Sequence, residues 1–223
     1  MFNKIEIINI NITLLYLYNN KQKMSFPDLF AFDLDYTIWP FDCDKNVVAP
    51  FHNDEYGNVF DRYGTCANPY PDVAYILGTI IDYGIPIAFV SRNPSRNSIL
   101  QLLNKIPIVT KRVGIKTLGD ALCTDNLLQA YSSKGLSDAK NTHFAEIKKH
   151  TCINFNKMIF FDDLPQNIEA AKAQGTTSIL VNRQEGLTWA KFTEGVEEWR
   201  ARKIQKTTLD DLAIAIESIT KTE

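Results

Sequence analysis

Short apolar runs alternate with segments of helical periodicity over most of the chain. Such runs are typical of parallel strands that are buried on both faces. They cover residues 29–32, 85–90, 158–161 and 178–181. The segments with helical spacing cover residues 72–83, 94–103, 141–150, 165–174, 187–200 and 207–219. Gly84 and Gly175 are predicted to end two of these helices, and Thr142 is predicted to cap a third.

Strands that alternate with helices imply parallel pairing through right-handed crossovers. We therefore predict an α/β fold, a Rossmann-like three-layer arrangement in which helices flank a parallel sheet. Two regions do not fit this pattern. Residues 36–71 are rich in Pro, Gly, Asp and aromatic residues and indicate a flap or an irregular hairpin. Residues 106–139 have weak periodicity, so we assign no element to them.

The first 24 residues differ in composition from the rest of the chain, with Ile and Asn nearly alternating at positions 8–12. Alternation of this kind would allow an edge strand. We favour a poorly ordered extension, or a start site assigned too early with the true first residue at Met24. Residues 25–223 are then predicted to form a single domain.

Composition narrows the classes of partner. The 223 residues include 24 Lys and Arg and 26 Asp and Glu, so the net charge of −2 excludes a strongly basic nucleic-acid binder. The apolar run at 14–18 is too short to cross a bilayer. We expect a monomer that has no nucleic-acid or membrane partner. The expected location is the cytoplasm, with the nucleus as a further compartment. The scattered cysteines, which form no CxxC pair, predict free thiols; they are Cys43, Cys66, Cys123 and Cys152.

Acidic, hydroxyl-bearing and basic residues follow the predicted strands. Asp33 and Asp35 follow the first strand, Ser91-Arg92 follow the second, and Asp162-Asp163 end the third. Lys140 lies just before a predicted helix. Ligands of open α/β sheets bind at the carboxyl ends of the strands. Carboxylates for a cation, with Ser, Arg and Lys for an anion, predict a phosphate held against a hard metal ion.

Asp33 and Asp35 are two residues apart, so both side chains face one side while the chain is extended. One carboxylate can attack phosphorus, and the other can protonate the leaving oxygen and then deprotonate water. Two carboxylates this close repel each other unless a cation lies between them, and Mg²⁺ suits such a site. The alternative is that both are turn or cap residues. The preceding apolar run, the following Thr37 and the matching strand ends argue against it.

The other candidates have structural alternatives. Ser91 could be the N-cap of the next helix, and Arg92 could be a solvated surface charge. One residue of Asp162-Asp163 could do no more than cap the helix near Pro165. Aromatic residues of the flap could stack on a leaving group or pack onto the sheet; they are Trp39, Phe41, Phe51 and Tyr56.

These residues together resemble the haloacid dehalogenase superfamily of phosphohydrolases, whose four motifs they match in order. The motifs are Asp33-x-Asp35-x-Thr37, Ser91, Lys140 and Asp162-Asp163. Residues 28–190 are more closely similar to the magnesium-dependent phosphatase-1 family. The stretches that carry this similarity are FDLDYTIWPF at 32–41, PFH at 50–52, SR at 91–92, THF at 142–144 and FFDD at 160–163.

The resemblance implies a haloacid-dehalogenase-like fold with a small flap and no large cap domain. It makes Asp33 the nucleophile and Asp35 the general acid and base. Mg²⁺ would be bound by Asp33, the backbone carbonyl of Asp35 and Asp163, with Asp162 nearby. The phosphoryl oxygens would be held by Ser91, Arg92, Lys140 and the backbone amide of Leu34.

The implied substrates are phosphotyrosine, as the amino acid or in a phosphoprotein, and small sugar phosphates. Two features depart from the family pattern. Asp42 stands where a bulky aromatic residue is expected, and the stretch from Arg92 to Lys140 is longer than usual. A phosphotransferase or mutase, and a catalytically silent phosphoprotein-binding module of the same fold, are the alternatives. The presence of both Asp33 and Asp35 argues against the silent module.

Overall fold

The computed structural model describes residues 26–111, 114–121, 127–131 and 140–220. The prediction for residues 1–24 lies outside this part of the chain. Contacts group Pro27–Val196 into one compact unit, and place Phe26 with the helical residues from Glu197 onward in another. In the latter, the Arg200 guanidinium lies over the Phe26 ring, 5.4 Å from its centroid. The single domain over residues 25–223 stays a prediction.

Strands and helices alternate as predicted. The strands are β1 Leu29–Phe32, β2 His52–Asn53, β3 Val59–Phe60, β4 Ile87–Ser91, β5 Pro107–Thr110, β6 Gly114–Thr117, β7 Leu127–Tyr131, β8 Met158–Asp162 and β9 Thr177–Leu180. The helices are α1 Val73–Asp82, α2 Arg96–Lys105, α3 Leu118–Ala121, α4 Asn141–Thr151, α5 Pro165–Ala173 and α6 Trp189–Thr220, with a 3₁₀ turn at Phe155–Lys157.

A five-stranded sheet in the order β7-β4-β1-β8-β9 forms the centre of the fold, and each neighbouring pair is parallel. This confirms the predicted fold class. The register places Phe32 opposite both Phe89 and Phe161. The Phe32 ring lies 5.4 Å from the Phe161 ring and 6.3 Å from the Phe89 ring, centroid to centroid. This row of aromatic rings fixes the ends of three strands relative to one another.

Side chains alternate between the two faces of β1, as the period of a strand requires. On one face, Leu29 and Ala31 join a buried cluster with Phe144 of α4 and Ile168 of α5. On the other, the Phe30 ring lies 5.2 Å from the ring of Phe192 in α6. The sheet is therefore covered on both faces, which gives three layers.

The segment at 36–71 forms a small flap, as predicted, and not a large cap domain. Its hairpin pairs His52 with Phe60, and the Asp61 carboxylate accepts backbone hydrogen bonds that close the adjoining turns. Three of the four aromatic residues considered for stacking on a leaving group are buried and pack into the flap and core; they are Trp39, Phe41 and Phe51. Tyr56 is 82% exposed.

The structure corrects two of the sequence predictions and assigns elements to a region that the sequence left without any. The C-terminal segments 187–200 and 207–219 belong to one continuous helix, α6. Residues 201–206 between them contain neither Pro nor Gly and favour helix, so nothing interrupts it. Thr142 lies inside the first turn of α4, and Lys140 occupies the N-cap position instead. The region without an assignment contains β5, β6, α3 and the edge strand β7.

Within the described part of the chain, no helix combines the length and the apolar character needed to cross a membrane.

Gly78 allows α1 to approach the β5 strand closely. A Cβ atom added there would lie 1.8 Å from the backbone carbonyl oxygen of Val109. Because this oxygen belongs to the backbone and not to a flexible side chain, it cannot easily move aside. We expect Gly78→Ala to lower the free energy of unfolding by about 1–3 kcal/mol through overpacking. Urea denaturation of the two proteins measures the difference.

The control for this prediction is Thr79→Ala, at the next position of the same helix. It removes a hydroxyl that donates to the Tyr75 carbonyl of its own helix at 2.8 Å. Its cost should stay within about 0.5 kcal/mol. Equal effects of the two substitutions would contradict the close approach at Gly78.

Candidate active site

The carboxyl ends of β1, β4 and β8 border an open cavity of about 170 Å³. Five of the residues predicted from the sequence line it, namely Asp33, Asp35, Ser91, Arg92 and Asp163. Tyr36 and Asp42 also line it, together with four residues that the motifs did not indicate: Asn93, Leu164, Asn167 and Arg183. Since parallel strands end at one edge, the sheet brings these distant segments together.

Asp33 is held at the end of β1 by its backbone amide, which donates to the Phe161 carbonyl at 2.9 Å. The buried Lys140 ammonium donates to Asp33 Oδ1 and to the Val90 carbonyl oxygen. Burial raises the pKa of the Asp33 carboxyl, while the ammonium of Lys140 opposes that rise. The backbone amide of Leu34 also hydrogen-bonds to this carboxylate. Lys140 therefore connects β1 to β4 at the centre of the site.

Three carboxylates converge beside this lysine. Asp33, Asp162 and Asp163 each offer an oxygen, and the three oxygens lie within 4.8 Å of one another. Burial, followed by the charge of Asp33, raises the pKa of Asp162 to about 7. Lys140 Nζ lies 3.6 Å from Asp162 Oδ2, so one ammonium serves two of the carboxylates. A set of hard oxygen donors with excess negative charge fits Mg²⁺.

Asp162 and Asp163 differ in their surroundings. Asp162 is fully buried, and its carboxylate accepts from the Leu164 amide at 2.8 Å and from Asn167 Nδ2 at 2.9 Å. It thereby holds the start of α5. Of the pair, Asp163 is the residue that lines the cavity.

Asp35 lies in a tight turn that follows β1. The turn passes through Tyr36, which has φ of +60°, and the Leu34 carbonyl accepts from the Ile38 amide at 2.8 Å. Asp35 Oδ1 accepts from Trp39 Nε1 at 2.7 Å and from the Cys43 amide at 3.1 Å, and Oδ2 accepts from Asn93 Nδ2 at 2.8 Å. Burial raises the pKa of Asp35 against these hydrogen bonds. The carboxyl group is thus fixed in orientation by three hydrogen bonds.

Ser91 and Arg92 extend from β4 to the cavity. Ser91 is buried, and its Oγ accepts from the Asn93 amide at 3.1 Å. The N-cap position of α2 is Ser95, so the alternative that Ser91 caps this helix is wrong. Arg92 is half-buried at the cavity wall, which differs from a fully solvated surface charge.

Arg183 adds a cation that the motifs did not indicate. Its Nε donates to Asp163 Oδ2 at 2.5 Å, and its guanidinium lies 4.8 Å from the centroid of the Tyr36 ring. The Tyr70 hydroxyl donates to the Arg183 carbonyl and ties this turn to the flap. The sequence signal that could have indicated Arg183 is its position three residues after the strand β9, at the same edge of the sheet.

Comparison with known proteins identifies the family. Residues 25–202 match the sequence profile of the acid phosphatase family. This chain belongs to that family. It is 33% identical over 174 residues to magnesium-dependent phosphatase 1 of Homo sapiens, a match that covers 77% of this chain and 86% of the human protein.

A second relative is a HAD-like hydrolase superfamily protein of Schizosaccharomyces pombe. It is 31% identical over 155 residues, which are 68% of this chain and 84% of that protein. The resemblance found in the sequence motifs is therefore confirmed. The name of the human relative, a magnesium-dependent phosphatase, agrees with the carboxylate cluster in assigning Mg²⁺ as the cofactor.

The Lys140–Asp33 ion pair is buried, so removing its cation leaves a carboxylate without compensation. We expect Lys140→Met to lower the free energy of unfolding by about 3–5 kcal/mol in EDTA. In an Asp33→Asn background the same change should cost about 1–3 kcal/mol less. Chemical denaturation of the wild type, the two single variants and the double variant measures the four free energies of unfolding. Equal costs of Lys140→Met in both backgrounds would refute the coupling.

Binding of Mg²⁺ at the carboxylate cluster predicts a metal-dependent stability. At a Mg²⁺ concentration of 100 times Kd, the native state should gain about 2.7 kcal/mol, seen as a rise in Tm relative to EDTA. Asp163→Asn should abolish the rise, because it removes a charged oxygen from the cluster. Asp42 lines the cavity but lies outside the cluster, so Asp42→Asn should retain the rise in Tm. A loss that is equal in both variants would contradict this location.

Proposed function

We propose that this protein hydrolyses phosphomonoesters in a Mg²⁺-dependent reaction that passes through an aspartyl phosphate on Asp33. The observation that carries the proposal is the convergence of Asp33, Asp35 and Asp163 on one cavity, with Lys140 bonded to Asp33. An enzyme of this kind needs a positioned nucleophile, a proton donor and neutralisation of phosphoryl charge. Each of these is supplied by a separate group at the strand ends.

Asp33 is assigned as the nucleophile. Its carboxylate attacks phosphorus as the bond between phosphorus and the leaving oxygen breaks, which forms an acyl phosphate. Lys140 favours the charged carboxylate by its direct hydrogen bond. The fixed backbone of β1 holds the attacking group in place, so little orientational freedom is lost in the reaction.

Asp35 is assigned as the general acid and base. In the first step it gives its proton to the leaving oxygen, and in the second it takes a proton from the water that attacks the acyl phosphate. The second step releases inorganic phosphate and restores both aspartates. Burial raises the pKa of Asp35, which suits a group that must begin the cycle protonated.

The phosphoryl oxygens are assigned to the Ser91 hydroxyl, Arg92, Lys140 and the Leu34 amide. Mg²⁺ would be held by Asp33, the backbone carbonyl of Asp35 and Asp163, with Asp162 orienting the start of α5. The metal ion supplies positive charge that lets the carboxylates and the phosphoryl group share one small site. Arg183 would keep Asp163 oriented through its hydrogen bond at 2.5 Å.

Phosphotyrosine and small sugar phosphates are the substrate classes proposed. Besides the groups assigned to the phosphoryl oxygens and the metal, the cavity wall presents the polar groups Asp42, Asn93 and Arg183, together with the ring of Tyr36. Asp42, at the position where an aromatic side chain was expected, offers a carboxylate that can accept from a hydroxyl. This polarity favours a sugar phosphate over the aromatic ring of phosphotyrosine.

The test is steady-state hydrolysis of p-nitrophenyl phosphate, phosphotyrosine and glucose 6-phosphate by the purified protein with Mg²⁺. We expect turnover that is lost in EDTA and in Asp33→Asn, and reduced about 10²–10⁴-fold in Asp35→Asn. Brief reaction with labelled substrate followed by acid quench should trap label on the wild-type protein and not on Asp33→Asn.

Asp44→Asn is the matched control, because Asp44 is an exposed acidic residue outside the cavity lining. Its activity should equal that of the wild type. Turnover that survives both EDTA and Asp33→Asn would contradict the proposed reaction. A preference for phosphotyrosine over glucose 6-phosphate would contradict the substrate ranking alone.

A further inference from the structure

Asn93 lies at the centre of the hydrogen-bond network around the cavity, although none of the four motifs includes it. It follows β4 by two residues, and its backbone amide donates to Ser91 Oγ at 3.1 Å. Its side chain reaches Asp35, 58 residues earlier in the chain, at 2.8 Å. The contact joins a predicted phosphate-binding loop to the proposed acid and base.

The orientation of the Asn93 amide is determined by its partners. Its Oδ1 accepts from the backbone amide of Ser95 at 2.9 Å, and a backbone N–H can act only as a donor. The Nδ2 group therefore faces two carboxylates, Asp35 Oδ2 at 2.8 Å and Asp42 Oδ1 at 3.4 Å. If Oδ1 and Nδ2 were exchanged, the Nδ2 donor would face the Ser95 N–H, and Oδ1 would face the acceptor oxygens of Asp35 and Asp42.

The two oxygens of Asp35 consequently have different roles. Oδ1 accepts from Trp39 Nε1 at 2.7 Å and from the Cys43 amide at 3.1 Å, which occupies both of its lone pairs. A proton destined for the leaving oxygen must then be carried by Oδ2. Asn93 Nδ2 takes one lone pair of Oδ2 and leaves the other for that proton.

We propose that Asn93 is a positioning residue that fixes Asp35 Oδ2 as the oxygen that protonates the leaving group. The inference rests on the proposed function, because it assigns a direction to the proton transfer described there. The bond from phosphorus to the leaving oxygen breaks while the proton moves from Oδ2 to that oxygen. Asn93 itself neither gains nor loses a proton.

A positioning role of this kind predicts dependence on the leaving group. An alkoxide such as that of glucose 6-phosphate is a poor leaving group and needs the proton as the bond breaks, whereas p-nitrophenolate leaves with little assistance. Misplacing Oδ2 should therefore slow the first substrate much more than the second. A loss of general structure would slow both substrates alike.

The experiment compares kcat/KM of the wild type and Asn93→Ser with both substrates and saturating Mg²⁺. Ser keeps a side-chain acceptor for the Ser95 amide but removes the amide donor to Asp35. We expect a loss of about 10²-fold with glucose 6-phosphate, and a change within about threefold with p-nitrophenyl phosphate. If Asn93→Ser does not fold, Asn93→Thr removes the same donor while keeping an acceptor.

Ser95→Ala is the control in the same loop. It removes the hydroxyl that donates to Asp44 Oδ1 and leaves the backbone contact with Asn93 intact. Its ratio of the two kcat/KM values should match that of the wild type. Equal losses on the two substrates in Asn93→Ser, or no loss, would overturn the inference. A wild type that is inactive on both substrates would instead overturn the proposed function, and the inference with it.

Discussion

The buried ammonium of Lys140 is the interaction on which the rest of the site depends. It bonds to Asp33 and to the Val90 carbonyl, and it lies 3.6 Å from Asp162. Burying a carboxylate without a partner is costly, so this cation stabilises Asp33 at the end of β1. The Lys140 ammonium and the Arg183 guanidinium supply two positive charges to three converging carboxylates. The fold therefore leaves a negative excess that a divalent ion can satisfy, and that excess gives the cavity its chemistry.

The sheet provides the rigidity that such a charge cluster requires. Phe32 packs between Phe89 and Phe161, so three strand ends are fixed by apolar contacts directly below the polar groups. Repulsion among the carboxylates is opposed by packing at the neighbouring residues as well as by the charges of Lys140 and Arg183. The row of rings and the ion pair thus depend on each other. The rings hold the aspartates close together, and the positive charge of Lys140 reduces the repulsion between them.

The parts of the site that could be predicted are those encoded by local pattern. Asp33 follows an apolar run, and Asp162 ends another, so the edge of a parallel sheet brings them together whatever the loops do. Asn93, Asn167 and Arg183 were not predicted because their roles arise from partners far away in the sequence. β7, LLQAY at Leu127–Tyr131, lacked a clear apolar run and was missed for a related reason: its pairing with β4 decides its structure.

The site residues that could be predicted differ in their proposed roles from those that could not. Most of the groups that we propose to handle the phosphoryl moiety lie at strand ends, whose geometry is set by the sheet and can be predicted from the sequence. Asp42 and Asn93, which we propose to face the leaving group, lie on loops that are joined by the contacts of the Asn93 amide with Asp42 and Asp35. A change in one loop would therefore alter the orientation of the Asp35 carboxyl as well as the shape of the cavity. With Asp35 proposed as the proton donor, substrate choice and acid catalysis would be coupled, because the Asn93 amide contacts both the Asp35 and the Asp42 carboxylates.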